Sequence, residues 1–102
     1  MAAKKDKDVV YEYPIDKDAL RSFFLHPLAD RTPMEERAIH MVITVVLNRH
    51  FGMYHYMFED LRDIAFESVL MHHPKFDPSS NAHRTYGYVY TMCRNEVGNY
   101  LS

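Results

Sequence analysis

Apolar positions along the chain recur at three- and four-residue intervals, and no segment alternates like a strand. Asp16 is placed to cap a short helix over Ala19 to Leu25, which Pro27 limits. Thr32-Pro33-Met34-Glu35 is a stronger start signal: a threonine N-cap, a proline at the first helical position and a glutamate that completes a capping box. The spacing predicts a helix from there to about Phe51, with Gly52 at its C-terminal end. Met34, Ala38, Met41, Val42, Val45 and Val46 form its broad apolar face, and Arg49 and His50 put positive charge in the last turn.

A third helix is predicted over residues 56–72, with a stripe of Phe58, Leu61, Ala65, Val69 and His72 flanked by Ile64 and Ser68. Pro74 stops it, and Lys75-Phe76-Asp77-Pro78-Ser79-Ser80-Asn81 is turn chemistry. A fourth helix is predicted from about Ala82 to Tyr100, capped by Asn81 or Ser80, with Tyr86, Val89, Cys93 and Val97 at helical spacing and Tyr90 alongside. The expected fold is all-α: a compact bundle of three long helices plus a short N-terminal helix, over residues 14–102. Residues 1–13 are rich in lysine and aspartate and lack a helical stripe; they read as a mobile arm in which Tyr11 and Tyr13 are the candidates to dock.

Composition narrows the class. The 102 residues suit one small domain, and such a chain buries only about 60–65% of its unfolded surface, so a thin core is expected. Apolar residues at 47% and charged residues at 25% argue against wholesale disorder. A single cysteine, Cys93, excludes an intramolecular disulfide framework and suits a reducing cytosol. The longest strongly apolar stretch, Val42 to Leu47, is far short of the roughly 18 residues of a membrane span. Met1 to Asp6 carries no apolar run behind its lysines, so no secretion signal and no membrane association are expected.

The formal charge of −2 provides no global basic footprint for nucleic acid. Its distribution is uneven: residues 56–71 carry −3 and residues 72–102 carry +1, which allows two partners of opposite character. If Phe58, Leu61, Ala65 and Val69 face the core, then Asp60, Asp63, Phe66, Glu67 and Leu70 lie on another face. Such a face is often merely solvated. Apolar anchors among acids are also what a helix needs to dock on an arginine-rich partner, the acids supplying orientation and encounter rate. On the fourth helix, Tyr88 lies one turn after Arg84, with Thr91 and Asn95 on the same face. An aromatic among such groups can stack an unpaired base and hold its phosphate; equally, tyrosines can cover a small core with their hydroxyls in water.

Catalytic and metal chemistry are not nominated. His72 and His73 are adjacent and point apart on a helix, His50 and His55 straddle Gly52, and His83 stands near a cap. No HExxH, cysteine–histidine, GxxxxGK[ST], GxGxxG or GxSxG pattern occurs, so neither an enzyme nor a cofactor is expected.

Three motifs in order are more telling: Glu59-Asp60-Leu61-Arg62-Asp63-Ile64-Ala65-Phe66-Glu67, then Lys75-Phe76-Asp77-Pro78, then Tyr86-Gly87-Tyr88-Val89-Tyr90-Thr91-Met92-Cys93-Arg94-Asn95. Together they make residues 36–102 resemble the second conserved region of sigma-70 family transcription factors. That region shows an E-D-L-x-Q-E-x-F-like helix, a K-F-D/E-P turn and an aromatic helix ending in I-A-R-N or I-R-Q. The similarity is greatest to small divergent members, including the late type of T-even-like phages. The resemblance implies a fold like sigma region 2 and a factor that acts in the cytoplasm of a bacterial or phage-infected cell.

It also implies partners. The acidic helix of the family binds the β′ clamp helices of bacterial RNA polymerase core, at positions matching Asp60, Asp63, Phe66, Glu67 and Leu70. The aromatic helix opens and reads the −10 promoter element and captures an unstacked non-template adenine. The stacking aromatic matches Tyr88, the basic position Arg84 and the promoter-reading polar position Asn95. Thr91 shares that face, Lys75 falls in the phosphate-contacting stretch, and Tyr86 is a further DNA contact.

The chain departs from the family in places. Asp63-Ile64 stands where Gln-Glu is typical, Thr91-Met92 replaces a tryptophan pair, and Thr85 replaces the phenylalanine before the tyrosine. Melting determinants are therefore expected to be weaker or moved, with Tyr86 and Tyr90 contributing. The chain ends at Ser102 inside the last family helix, without a −35-reading region. The expectation is either the core of a longer factor or a minimal factor that needs a second protein for anchoring. The competing expectations are a polymerase-binding regulator that does not read DNA and a small structural helical protein.

Overall fold

The computed structural model describes residues 15–102. The proposed arm over residues 1–13, with Tyr11 and Tyr13, lies outside the described residues. Among the described residues four α-helices follow one another: α1 (Lys17–Leu25), α2 (Pro33–His50), α3 (Phe58–His72) and α4 (Ala82–Leu101). Short 3₁₀ turns over Leu28–Asp30, Gly52–Met57 and His73–Lys75 join them, and no strand occurs among the described residues. The described residues form an all-α bundle.

Local capping accounts for three of the four helix starts. The Asp16 carboxylate accepts from Ala19 N–H at 3.0 Å, and the Asn81 side-chain oxygen accepts from Arg84 N–H at 2.8 Å. Thr32 and Glu35 form the full capping box, with Glu35 N–H donating to Thr32 Oγ1 at 3.2 Å and Thr32 N–H to Glu35 Oε1 at 2.9 Å. The start of α3 differs from expectation. Residues 52–57 form a kinked 3₁₀ turn instead of a first helical turn, and Met57 provides no side-chain cap. Gly52 is not a left-handed cap either: α2 closes at Phe51, whose N–H bonds Leu47 O at 2.9 Å, and no glycine has positive φ among the described residues.

Burial centres on α2, which packs against α1, α3 and α4. Ala38, Ile39, Val42, Ile43, Val45, Val46 and Leu47 are all buried. The predicted face was too narrow and began too early: Met34 is 59% exposed and Met41 is half-buried. A helix with neighbours on three sides buries more than one stripe, so Ile39, Ile43 and Leu47 join the core. On α4 the buried set is Thr85, Val89, Met92, Cys93 and Val97, while Tyr86 is only half-buried. Thr85 satisfies its hydroxyl by donating to Asn81 O at 2.8 Å. Burial pushes the Cys93 thiol up to about 12, so it stays protonated and unreactive.

Glu35 does more than cap α2. Its Oε2 accepts from Ser22 Oγ at 2.6 Å and from His26 Nε2 at 2.7 Å, which ties α1 and its exit to α2. The other ring nitrogen of His26 lies 3.2 Å from Pro27 O. Carboxylate and carbonyl can only accept, so the doubly protonated imidazolium satisfies both contacts. The bond to Glu35 raises the His26 pKa above its ordinary value, helped by Pro27 O. For Glu35, burial pushes the pKa up, but the bonds from Ser22, His26 and Thr32 outweigh it and hold the carboxyl below its ordinary value.

The signs fix a stability window. The His26 contribution is complete below its unfolded value of 6.5 and is lost as pH rises through the higher folded value. The Glu35 contribution is complete above its unfolded value of 4.5 and is lost as pH falls through the lower folded value. Thermal melts over a pH series should therefore lose stability on both sides of that interval. Glu35→Gln should flatten the alkaline limb, and Glu35→Ala should cost about 1–2 kcal/mol through the lost cap and the unpaired Ser22.

Candidate nucleic-acid and partner interface

Two surfaces carry the residues that the sequence singles out. On α3, Leu61, Ala65, Ser68 and Val69 turn inward, with Phe58 and His72 half-buried beside them. Asp60, Asp63 and Glu67 are exposed, as is Glu59. Phe66 and Leu70 are not free anchors on that face. Both are half-buried against the core, and Phe66 stacks flat on His40 of α2, with ring centroids 4.7 Å apart and planes 13° apart. The apolar part of the face is thus a rim of the core, already partly occupied. Met71, one turn after Glu67, is 68% exposed and adds an apolar group that the stripe reading passed over.

The second surface lies along α4 and the turn before it. Tyr88 is the shared wall of two adjoining depressions. One, of about 450 Å³, is lined by His72, Tyr88, Thr91, Met92, Asn95 and Glu96. The other, of about 320 Å³, is lined by Lys75, Phe76, Asp77, Ser80, Arg84 and Tyr88. Five of the six residues expected to contact DNA therefore come together: Lys75, Arg84, Tyr88, Thr91 and Asn95. All of them except the half-buried Tyr88 are exposed.

Tyr86 does not join them. Two residues apart on a helix is a rotation of about 200°, which puts Tyr86 on the opposite flank of α4. There its ring meets Tyr90 at 5.9 Å and lies 5.0 Å beneath Lys17 Nζ. Tyr90 is on that flank too, with its hydroxyl 2.8 Å from His50 Nε2. Thr85 is fully buried and Met92 nearly so, which leaves Thr91 as the exposed member of the Thr91-Met92 pair.

An aromatic stack holds the shared wall in place. The Tyr88 ring meets Phe24 of α1 at 6.0 Å, Phe76 of the turn at 6.1 Å and His72 of α3 at 6.5 Å. Phe24 and Phe76 in turn stack on one another at 4.6 Å and 17°. Burial raises the phenol pKa, so Tyr88 is a neutral hydroxyl at physiological pH. At the turn, Asp77 accepts from Ser79 N–H at 3.0 Å and from Ser79 Oγ at 2.8 Å. These bonds lower its pKa, with Arg84 adding a smaller pull in the same direction.

Several contributors escaped the sequence reading, which took Phe76, Asp77 and Ser80 only as turn or cap chemistry. Glu96 and Met92 follow Tyr88 at two and one helical turns, a spacing that marks them for the same edge. Phe24 and His72 come from other helices and carry no local signal. His72 and His73 do point apart: His72 Nδ1 donates to Ser68 O at 2.8 Å, whereas His73 Nε2 faces Phe23 O and His26 O at 3.0 and 2.8 Å. Among the described residues no three histidine, cysteine or acidic side chains are placed to hold a metal, and no helix is long and apolar enough to cross a membrane.

The chain matches no family model, no curated protein and no solved structure. What the two surfaces can do is therefore read from their own chemistry. A half-buried tyrosine has Lys75, Arg84 and Asp77 on one side and Thr91, Asn95 and Glu96 on the other, and its ring can stack an unpaired base. Removing only the hydroxyl should leave the wall intact: Tyr88→Phe is expected to stay within about 0.5 kcal/mol of the parent in urea unfolding, a surface-like change. Tyr88→Ala should cost about 1–2 kcal/mol, because it strips ring contacts with Phe24 and Phe76.

Proposed function

We propose that this chain is a sigma-like transcription initiation factor, without catalysis of its own, that binds bacterial RNA polymerase through α3 and the opened −10 promoter strand through the Tyr88 edge. The shared wall at Tyr88 carries the proposal. Stacking on its ring accommodates any base, Lys75 and Arg84 supply phosphate contacts, and Thr91 and Asn95 supply groups that can read a base edge. The exposed Asp60, Asp63 and Glu67 support the polymerase assignment, with Phe66 and Leu70 adding a partly buried apolar rim. A chain of net charge −2 offers little counterion release, so the free protein binds DNA poorly. Polymerase supplies the electrostatic affinity and α4 the base selection, in the cytoplasm of a bacterial or phage-infected cell.

One observation favours a second reading. Thr85 and Met92, which occupy positions where the family carries aromatic groups, are withdrawn into the core. A polymerase-binding regulator that does not open promoters would look the same on α3. Retained clamp binding with no promoter-dependent initiation identifies that case.

Two variants test the two surfaces. Reversing Asp63 and Glu67 to lysine should weaken pull-down by the β′ clamp segment at moderate salt while circular dichroism stays unchanged. Unaltered binding would remove α3 from the interface. Tyr88→Ala should lower open-complex stability roughly 5- to 150-fold, the value of one lost base stack, read by permanganate footprinting of promoter DNA with polymerase. Normal opening by that variant would refute the role of Tyr88.

A further inference from the structure

The wall at Tyr88 is held from a distance. Arg21 of α1 donates from Nε to Ser80 O at 2.7 Å and from Nη2 to Pro78 O at 3.4 Å, across 59 and 57 residues of sequence. Both acceptors belong to the turn before α4, upstream of the first α4 bond, from Thr85 N–H to Asn81 O. At the other end of the same turn, His73 Nε2 lies within hydrogen-bond distance of Phe23 O and His26 O, the carbonyls that close α1. Between these two fastenings stand Lys75, Phe76 and Asp77, which line the smaller depression. Phe24, one turn after Arg21, stacks on Phe76 and meets the Tyr88 ring.

From this geometry we infer that Arg21 is a positioning residue for the strand-reading edge, and that α1 is the brace that sets the height of Lys75 and Phe76 against Tyr88. The inference rests on the strand-binding role proposed for that edge. Arg21 lines neither depression, so it acts through the turn and not on the strand. Two nitrogens of one planar guanidinium take two carbonyls of one turn, a fork that a lysine ammonium cannot reproduce. Without it, the turn keeps the His73 contacts to α1, the Phe24–Phe76 stack and its internal bonds: Phe76 N–H to His73 O at 3.3 Å, Ser80 N–H to Asp77 O at 3.0 Å and the Ser79 contacts to Asp77. Its Pro78–Ser80 end loses the tie to α1. Lys75 and Phe76 then lose their fixed register against Tyr88 while the core, which Arg21 does not enter, stays whole.

Arg21→Ala and Arg21→Lys in the full chain test the brace by two independent readouts. In the free protein, amide hydrogen exchange should quicken at Phe76 and Ser80 in both variants, with α2 and α3 still the best protected helices and the melting temperature lowered by only a few degrees, as the loss of one hydrogen bond requires. With polymerase core, permanganate reactivity at the promoter should fall about tenfold in both, the worth of one charge-assisted hydrogen bond, while clamp-segment pull-down is unaffected. Full recovery by Arg21→Lys would show that charge alone matters and overturn the brace. Unchanged exchange at Phe76 and Ser80 would overturn it as well, as would a larger drop in melting temperature with a parallel drop in pull-down. If the parent chain opens no promoter, the proposed function fails, and the exchange measurement still decides the brace.

Discussion

Burial of α2 from three directions sets the position of every other helix. Ile39, Val42, Ile43, Val46 and Leu47 present more apolar surface than any one neighbour can cover, so α1, α3 and α4 each take a share. Burying one such side chain contributes roughly 1.5–3 kcal/mol, and a displaced neighbour would expose several at once. In a small domain with a thin core, that leaves little redundancy. It explains why α1, only nine residues long, brings Leu20 and Phe23 to full burial. The short helix is a structural wall of the bundle.

Polar fastenings then make that wall precise in direction. Glu35 holds the exit of α1 to α2 through His26 and Ser22, and His73 and Arg21 hold its outer side to the turn before α4. Apolar packing alone tolerates sliding, because dispersion and burial have no preferred direction. Hydrogen bonds between side chains and carbonyls far apart in sequence remove that freedom. The consequence falls on Tyr88, whose ring rests on Phe24 from α1 and Phe76 from the turn.

What the bundle leaves outside is chemically divided. The outer side of α3 is acidic, with Phe66 and Leu70 drawn toward the core at its margin. The α4 edge is aromatic at its centre, with Lys75 and Arg84 beside Asp77 on one side and Glu96 on the other. The first surface carries net negative charge, and the second offers a stacking ring among charges of both signs. Both are consistent with a net charge near zero, because the contrast lies in placement and not in totals.

Three of the four helix starts were legible because capping is decided within four residues. Asp16, Thr32 with Glu35, and Asn81 each act on N–H groups of the next turn, so the sequence by itself determined them. The 3.6-residue period likewise determined that Arg84, Tyr88, Thr91 and Asn95 share one side of α4, and the same arithmetic excludes Tyr86. Periodicity tells where a side chain points around its own axis. It does not tell which neighbour waits there or how many neighbours a helix has. Only the tertiary structure decided that α2 is enclosed on three sides, that Phe66 lies flat on His40, and that Phe24, His72 and Phe76 meet at Tyr88. Those contacts join residues far apart in the chain, and they exist only once the apolar faces of all four helices are matched at the same time.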